Sequence, residues 1–516
     1  MTETVTSYPP PRASTGPSVK LKAKRWAISK HQLLAIFGGL GLFIFGLSGL
    51  LHVVMVTWGP QQAVMMPPRA PMDMAAAAPI QSTLTKAGIT TAAAVKVIAG
   101  EGRSLLQVTQ DQLSPRRYFD LKTGAELPGH DEAQARYLAR HYLATNAAIT
   151  GTEFITDFTP AYPWVNRLLP VYRVDFDLPG DVSIYIYTET NVSAGVSNNF
   201  KRAVQTGFRW LHTWDWIPLK ADWVRVVLIA GLVGSLLALV ITGVMMLITI
   251  RRRKRARGGR HWHRVAGYVL ALPLLMFTSS GLYHLLTFSG APPQRVLTLG
   301  QQLDLRHAAF PLSETWPEIS AGLDINNVSI VAGPGGQFLY RLGLAQQRGP
   351  MQMAASDIRE ARYKGTPTTG PAVYLDAATG AVSQNGDKAM AQRLGAHFIG
   401  IENPKAMALV TRFGPLYDFR NKRLPVWQLD YGPPANKTIW VDTATGALVD
   451  VLADSARPER WSFSLLHKWN FLRPLRGVLG RHGTNVIITT AVLSSVGLMG
   501  GIGLSLYLKN RRRKPV

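Results

Sequence analysis

The sequence predicts a membrane protein of four transmembrane α-helices in two duplicated halves, each half carrying an α+β domain outside the bilayer. Three observations predict it. Four stretches, 33–58, 226–250, 265–293 and 483–508, contain no charged residue, and each reaches the ~20 positions a helix needs to cross the hydrocarbon layer. Much of the +25 formal charge sits in "KLKAKRWAISK", "RRRKRARGGR" and "KNRRRKPV", before the first stretch, after the second and after the fourth. Third, the two halves repeat one another.

The repeat is read from several matches in one order. His31, Gly49 and His52 recur as His263, Gly281 and His284, at an offset of 232 residues. "LPVYRVDF", "IYIYT" and "FRWLHTW" recur as "LPVWQLDY", "IWVDT" and "FSLLHKW" at 255, and "YFDLKTGA" recurs as "YLDAATGA" at 256. An insertion of about 23 residues therefore lies between His284 and Tyr374 in the second half.

Taken in order, residues 1–30 form a basic cytoplasmic tail and 31–58 the first helix, retained as an anchor because its apolar run is too long for a signal peptide. Residues 59–221 form the first outside domain, 222–250 the second helix, 251–263 a basic cytoplasmic loop and 264–288 the third helix. Residues 289–482 form the second outside domain, 483–508 the fourth helix and 509–516 a cytoplasmic tail. The basic runs fall on one side if four helices alternate, and positive charge marks the cytoplasmic side. The outside domains then face the periplasm of a cell with two membranes. The runs meet anionic membrane lipid; no groove-reading motif accompanies them, so nucleic acid is not an expected partner.

Within the outside segments, "VYRVDFD" and "VSIYIYT" alternate as half-buried strands, and "DEAQARYLARHYLA" and "DKAMAQRLGAHF" carry the spacing of short amphipathic helices. The turns "LKTGA", "AATGA" and "TATGA" place glycine where positive φ is needed. "MDM" at 72–74 and "MQM" at 351–353 read as apolar filler ahead of a Cu(I) site, since they fall at unrelated places in the halves.

The chain has no cysteine, which excludes disulfides, thiolate zinc, iron–sulfur clusters and thioether-linked haem. Histidine is the remaining redox ligand. His31 and His52 are 21 residues apart, as are His263 and His284, a helical rise of ~31 Å that places each pair near opposite faces of the membrane. Helices related by the repeat can present His31 to His263 and His52 to His284, as bis-histidine ligation of b-type haem requires. His212 and His467 form a third matched pair, beside the interfacial tryptophans Trp210, Trp214, Trp216 and Trp469. They ligate an outer haem in place of His52 and His284, or share outer haems with them; two haems need four ligands and six histidines match. Gly49 and Gly281 make room for a macrocycle or serve as helix packing points.

The order "RHWHRVAG", "SGL", "YFDLKTGAEL", "VDTATGALVD" and an "LH" before the next helix resembles the PepSY-associated transmembrane proteins, and among them the iron-regulated inner-membrane group that includes ferrisiderophore reductases. The resemblance runs from His31 to Leu508. It implies an inner-membrane protein with two b-type haems and periplasmic PepSY-like domains that reduces a ferric siderophore or other ferric chelate, with electrons from a quinol or a reduced flavin protein. The other readings are a membrane-anchored binding or inhibitory module without redox activity, and a metal or small-molecule transporter.

The absence of cysteine makes the topology testable with single introduced thiols. Lys122→Cys and Thr379→Cys should react with an impermeant maleimide once the outer membrane is opened, and Lys24→Cys and Lys509→Cys only after the inner membrane is opened too.

Overall fold

A computed structural model of the chain describes residues 19–68, 72–250, 258–288, 300, 302–323, 325–333, 336–344, 363 and 372–512. The tail 1–18, the basic run 251–257 and Met351 and Met353 lie outside the described residues. The chain divides into a helical unit, Met1–Val53 with Gly207–Gly290 and Ser462–Val516, and a sheet unit, Val54–Thr206 with Ala291–Trp461.

Among the described residues four helices are long and apolar enough to cross a membrane: Leu21–Trp58, Asp222–Thr249, Gly259–Thr287 and His482–Lys509. Two of them begin well before the expected bounds of 31 and 264. The first is helical from Val19, because the lysines and arginine of the basic run are good helix formers and do not end it. The third starts at Gly259, directly after Gly258 with φ of 72°, so His263 lies inside the helix and not in the expected loop 251–263. The fourth is irregular: the helix assigned to Arg476–Ser494 holds Gly480 at a non-helical φ of 65°, and the stretch Ser495–Gly501 is wound as π-helix before α-helix resumes at Ile502.

The outside segments were expected to form separate domains at 59–221 and 289–482. Instead they share one sheet unit. Its central sheet has six strands in the order Val373–Asp376, Phe338–Leu344, Ile325–Ala332, Ala94–Ala99, Ser104–Thr109, Arg117–Asp120, three from each half. The halves join where Ala94–Ala99 pairs antiparallel with Ile325–Ala332, with Lys96 opposite Ser329. The physical reason is size and edge protection. Three short strands alone leave two unpaired edges and bury too little, whereas joining two such sets removes two edges and allows one continuous core that includes Val97, Leu106, Val328 and Leu342. Met72 and Met74 are buried in that core, as filler residues are.

Each half adds a four-stranded antiparallel meander: Ile149–Ile155, Val171–Phe176, Val182–Tyr187, Val192–Ser197, and Ala406–Val410, Val426–Tyr431, Lys437–Asp442, Ala447–Ala453. The helices His130–Leu143 and Asp387–Ile399 cover one face of each. Gly124, Gly380 and Gly446, from the three repeated turns, have φ of 70°, 74° and 66°, which side chains with a Cβ adopt only under strain. One hydrogen-bond arrangement occurs twice: Gln107 donates to the Tyr118 hydroxyl, which donates to Asp131, and Arg341 donates to the Tyr374 hydroxyl, which donates to Asp387.

The sheet unit buries Glu189 between opposite charges. Glu189, fully buried, accepts from Lys96 at 2.6 Å and Arg116 at 3.3 Å and from the Thr109 hydroxyl. Desolvation favours its neutral form, but Lys96 and Arg116 outweigh it and hold the carboxyl down at about 2. The folded value lies below that of the unfolded chain, so the stabilisation is complete above pH ~4.5 and is lost as pH falls toward 2. Glu189→Gln leaves two buried cations uncompensated and should lower stability in denaturant titrations by about 3–5 kcal/mol, with a smaller loss on acidification than wild type.

Candidate functional site

The helical unit brings four of the six matched histidines together in two facing pairs. His31, on the first membrane helix, faces His263 on the third, with ring centres 6.3 Å apart and planes at 70°. His212 faces His467 at 6.4 Å and 61°. The pairs stand at two levels of the bundle. Ser48 and Ser280, which contact the second pair, each lie 17 residues along their helix from His31 and His263, a rise of about 26 Å.

His52 and His284 are not presented to one another. The His52 ring lies on Phe208 at 5.6 Å and the His284 ring on Phe463 at 3.8 Å. The same phenylalanines stack on His212 at 4.8 Å and His467 at 4.9 Å. The outer histidines of the two long helices are thus one aromatic ring removed from the facing pair.

What occupies the facing position comes from two short π-helical turns, Arg209–Thr213 and Phe463–His467. A π-turn adds a residue to the helical repeat and is found mostly as a single local device, frequently at functional sites. Here each aligns the phenylalanine and histidine four residues apart. Each is followed within two residues by a tryptophan in the left-handed region, Trp214 at φ of 54° and Trp469 at 51°, a conformation that costs a residue with a Cβ of order 1–3 kcal/mol. Stacking of Trp214 on Phe45 and of Trp469 on Phe277 opposes that cost.

Glycines make the room. A Cβ on Gly49 would stand 3.6 Å from Cε1 of His212, and one on Gly281 3.2 Å from Cε1 of His467; Gly243 and Gly503 stand in the same relation to His31 and His263, at 3.3 and 3.2 Å. Gly49 and Gly281 therefore seat an imidazole from the neighbouring segment.

Hydrogen bonds fix the tautomers. Nδ1 of His31 lies 3.1 Å from the Leu239 carbonyl and 3.3 Å from Thr242 Oγ1; a carbonyl only accepts, so Nδ1 carries the proton and Nε2 a lone pair. Nδ1 of His467 lies 3.4 Å from Ser280 Oγ, whose own proton is donated to the Met276 carbonyl at 2.5 Å. The serine oxygen therefore accepts from Nδ1, leaving Nε2 bare. His212 Nδ1 meets Ser48 Oγ at 2.9 Å. The Ser-Gly of each repeated "SGL" thus serves a histidine on the following π-turn.

These residues fit a haem. An imidazole nitrogen sits ~2 Å from a first-row metal ion with its ring centre roughly 1 Å behind, so two rings ligating one ion from opposite sides stand about 6 Å apart, close to both measured separations. Among the described residues no three His, Asp or Glu side chains converge on one point; two imidazoles per level suit an ion that arrives with four donors of its own. His31, His263, His212 and His467 are the residues that would hold it.

Sequence reasoning missed Ser48 and Ser280 as partners of the histidines, although both stand in the repeated "SGL". It also missed Thr242, Gly243 and Gly503. The two glycines are related by an offset of 260 residues, not the 255 of the preceding π-turns, so the register of the repeat is lost before it reaches them. Phe43 packs in the bundle core, whereas Tyr268 is exposed on the helix surface. Comparison with known proteins finds no matching family model and no matching curated relative.

Gly281→Val would press a branched side chain onto the His467 ring, an overpacking worth about 1–3 kcal/mol. The thermal midpoint of the purified protein in detergent should fall by several degrees, and Gly39→Val, whose Cβ meets nothing within 4 Å, should leave it unchanged.

Proposed function

We propose that the chain is a b-type haem protein of a bacterial inner membrane, related to the PepSY-associated ferrisiderophore reductases, that passes electrons outward to reduce ferric chelates. In this reading the two halves are a duplication, both termini are cytoplasmic, and the sheet unit is periplasmic and PepSY-like. The observation that carries it is the occurrence, at two depths of one helical bundle, of two imidazoles facing each other at a metal-bridging distance.

Haem held at these pairs would supply reversible one-electron Fe(III)/Fe(II) chemistry. The chain's own residues do the rest. Leu239, Thr242 and Ser280 hold protons on Nδ1 of His31 and His467 and so keep Nε2 lone pairs turned inward, and Ser48 orients His212 through its Nδ1. The bundle's apolar side chains, Leu42, Leu236, Val240, Leu274 and Val496 among them, exclude water between the two levels. The substrate is ferric iron in a siderophore or similar chelate; as Fe(II) it is a softer ion, held less tightly by hard oxygen donors. A quinol or a reduced flavin protein supplies the electrons.

The detergent-purified protein should show a Soret band that sharpens and shifts on dithionite reduction, with two haems per chain. His31→Ala or His263→Ala should remove one, His212→Ala or His467→Ala the other, and His52→Ala or His284→Ala neither. A colourless protein, isolated from cells supplied with ample porphyrin precursor, rules the reading out.

A further inference from the structure

The two histidines of the first pair stand in matching glycine seats but have different partners. Gly243 lies beside His31 with a Cβ position 3.3 Å from Cε1 and 3.7 Å from Nδ1, and Gly503 lies beside His263 at 3.2 and 3.7 Å. The residue before each glycine differs: Thr242 on the second helix, Ile502 on the fourth. Thr242 Oγ1 and the Leu239 carbonyl both stand within hydrogen-bond reach of His31 Nδ1. Ile502 has no polar atom to offer. The Leu498 carbonyl, in the π-helical stretch Ser495–Gly501, interacts with His263 without meeting hydrogen-bond geometry, so among the described residues its buried Nδ1 has no hydrogen-bond partner.

An imidazole whose N–H donates to an acceptor is the more basic metal ligand, and loss of that acceptor weakens ligation. On the haem reading above, we infer that the first pair is built from one strong and one weak axial ligand. His31 is anchored by Thr242 and Leu239, whereas His263 is left weak by the isoleucine at 502 and the π-turn before it. Thr242 is a positioning residue for His31. Ile502 is the position at which an acceptor is withheld from His263, and it thereby raises the reduction potential of that site.

The test restores the missing acceptor. In Ile502→Thr the hydroxyl reaches back toward the preceding turn as that of Thr242 does, and its oxygen accepts from His263 Nδ1. Ile502→Val has the same branched shape without the hydroxyl. In spectroelectrochemical titrations of the full-length protein, the midpoint of the first site is assigned by its absence in His31→Ala. That midpoint should move to lower potential in Ile502→Thr and stay in place in Ile502→Val, with the second midpoint and the haem content unchanged in both. Thr242→Val should move the same midpoint upward. A coloured protein whose first midpoint does not respond to Ile502→Thr, or responds equally to Ile502→Val, overturns this proposal and leaves the haem reading intact; a colourless wild-type protein overturns both.

Discussion

A buried imidazole offers a lone pair at one nitrogen only if the other nitrogen holds the proton, and that proton needs somewhere to point. In an apolar helical bundle there is no water to receive it, so the acceptor must be built into the neighbouring backbone or side chains. The helical unit of this protein is organised around that requirement. Ser280, whose hydroxyl bonds its own helix, presents oxygen to the ring of His467, Ser48 hydrogen-bonds the ring of His212, a carbonyl and a threonine receive the proton of His31, and glycines clear the volume that each ring occupies.

The same requirement accounts for local irregularities that would otherwise be liabilities. Two π-turns and two tryptophans with positive φ are costly in segments next to membrane helices. They recur at corresponding places, they carry the two histidines of the second facing pair, and each is braced by an aromatic stack. Strain held in register by surrounding structure marks a position whose geometry matters more than its local stability.

The sheet unit solves a different problem, that of small size. The three short strands that each half contributes to the central sheet bury too little by themselves, and the joint six-stranded sheet gives them a shared core by pairing Ala94–Ala99 with Ile325–Ala332. The cost of that arrangement is a charged side chain, Lys96, on a central strand. Glu189 and Arg116 complete a buried ion cluster around it, so the middle of the sheet depends on charge compensation as well as on apolar packing.

The sequence by itself determined the four apolar helices, the order of strands and short helices, the glycine turns and the six histidines that match between halves. These are local properties, set by hydrophobic runs of bilayer length, by period-two and period-3.6 patterns, and by the steric demand of positive φ. Which histidines face each other was decided only by tertiary structure. His52 and His284 have the more regular sequence placement, but the π-turns insert His212 and His467 ahead of them, and a one-residue change in helical repeat leaves no mark that spacing arguments detect. The union of the outside segments in one sheet was likewise undetermined, because an edge strand carries the same alternating pattern whether its partner comes from its own half or from the other. For the same reason the unequal settings of His31 and His263 became visible only when Gly243 and Gly503, 260 residues apart, were seen to occupy the same place beside two different rings, one preceded by Thr242 and the other by Ile502.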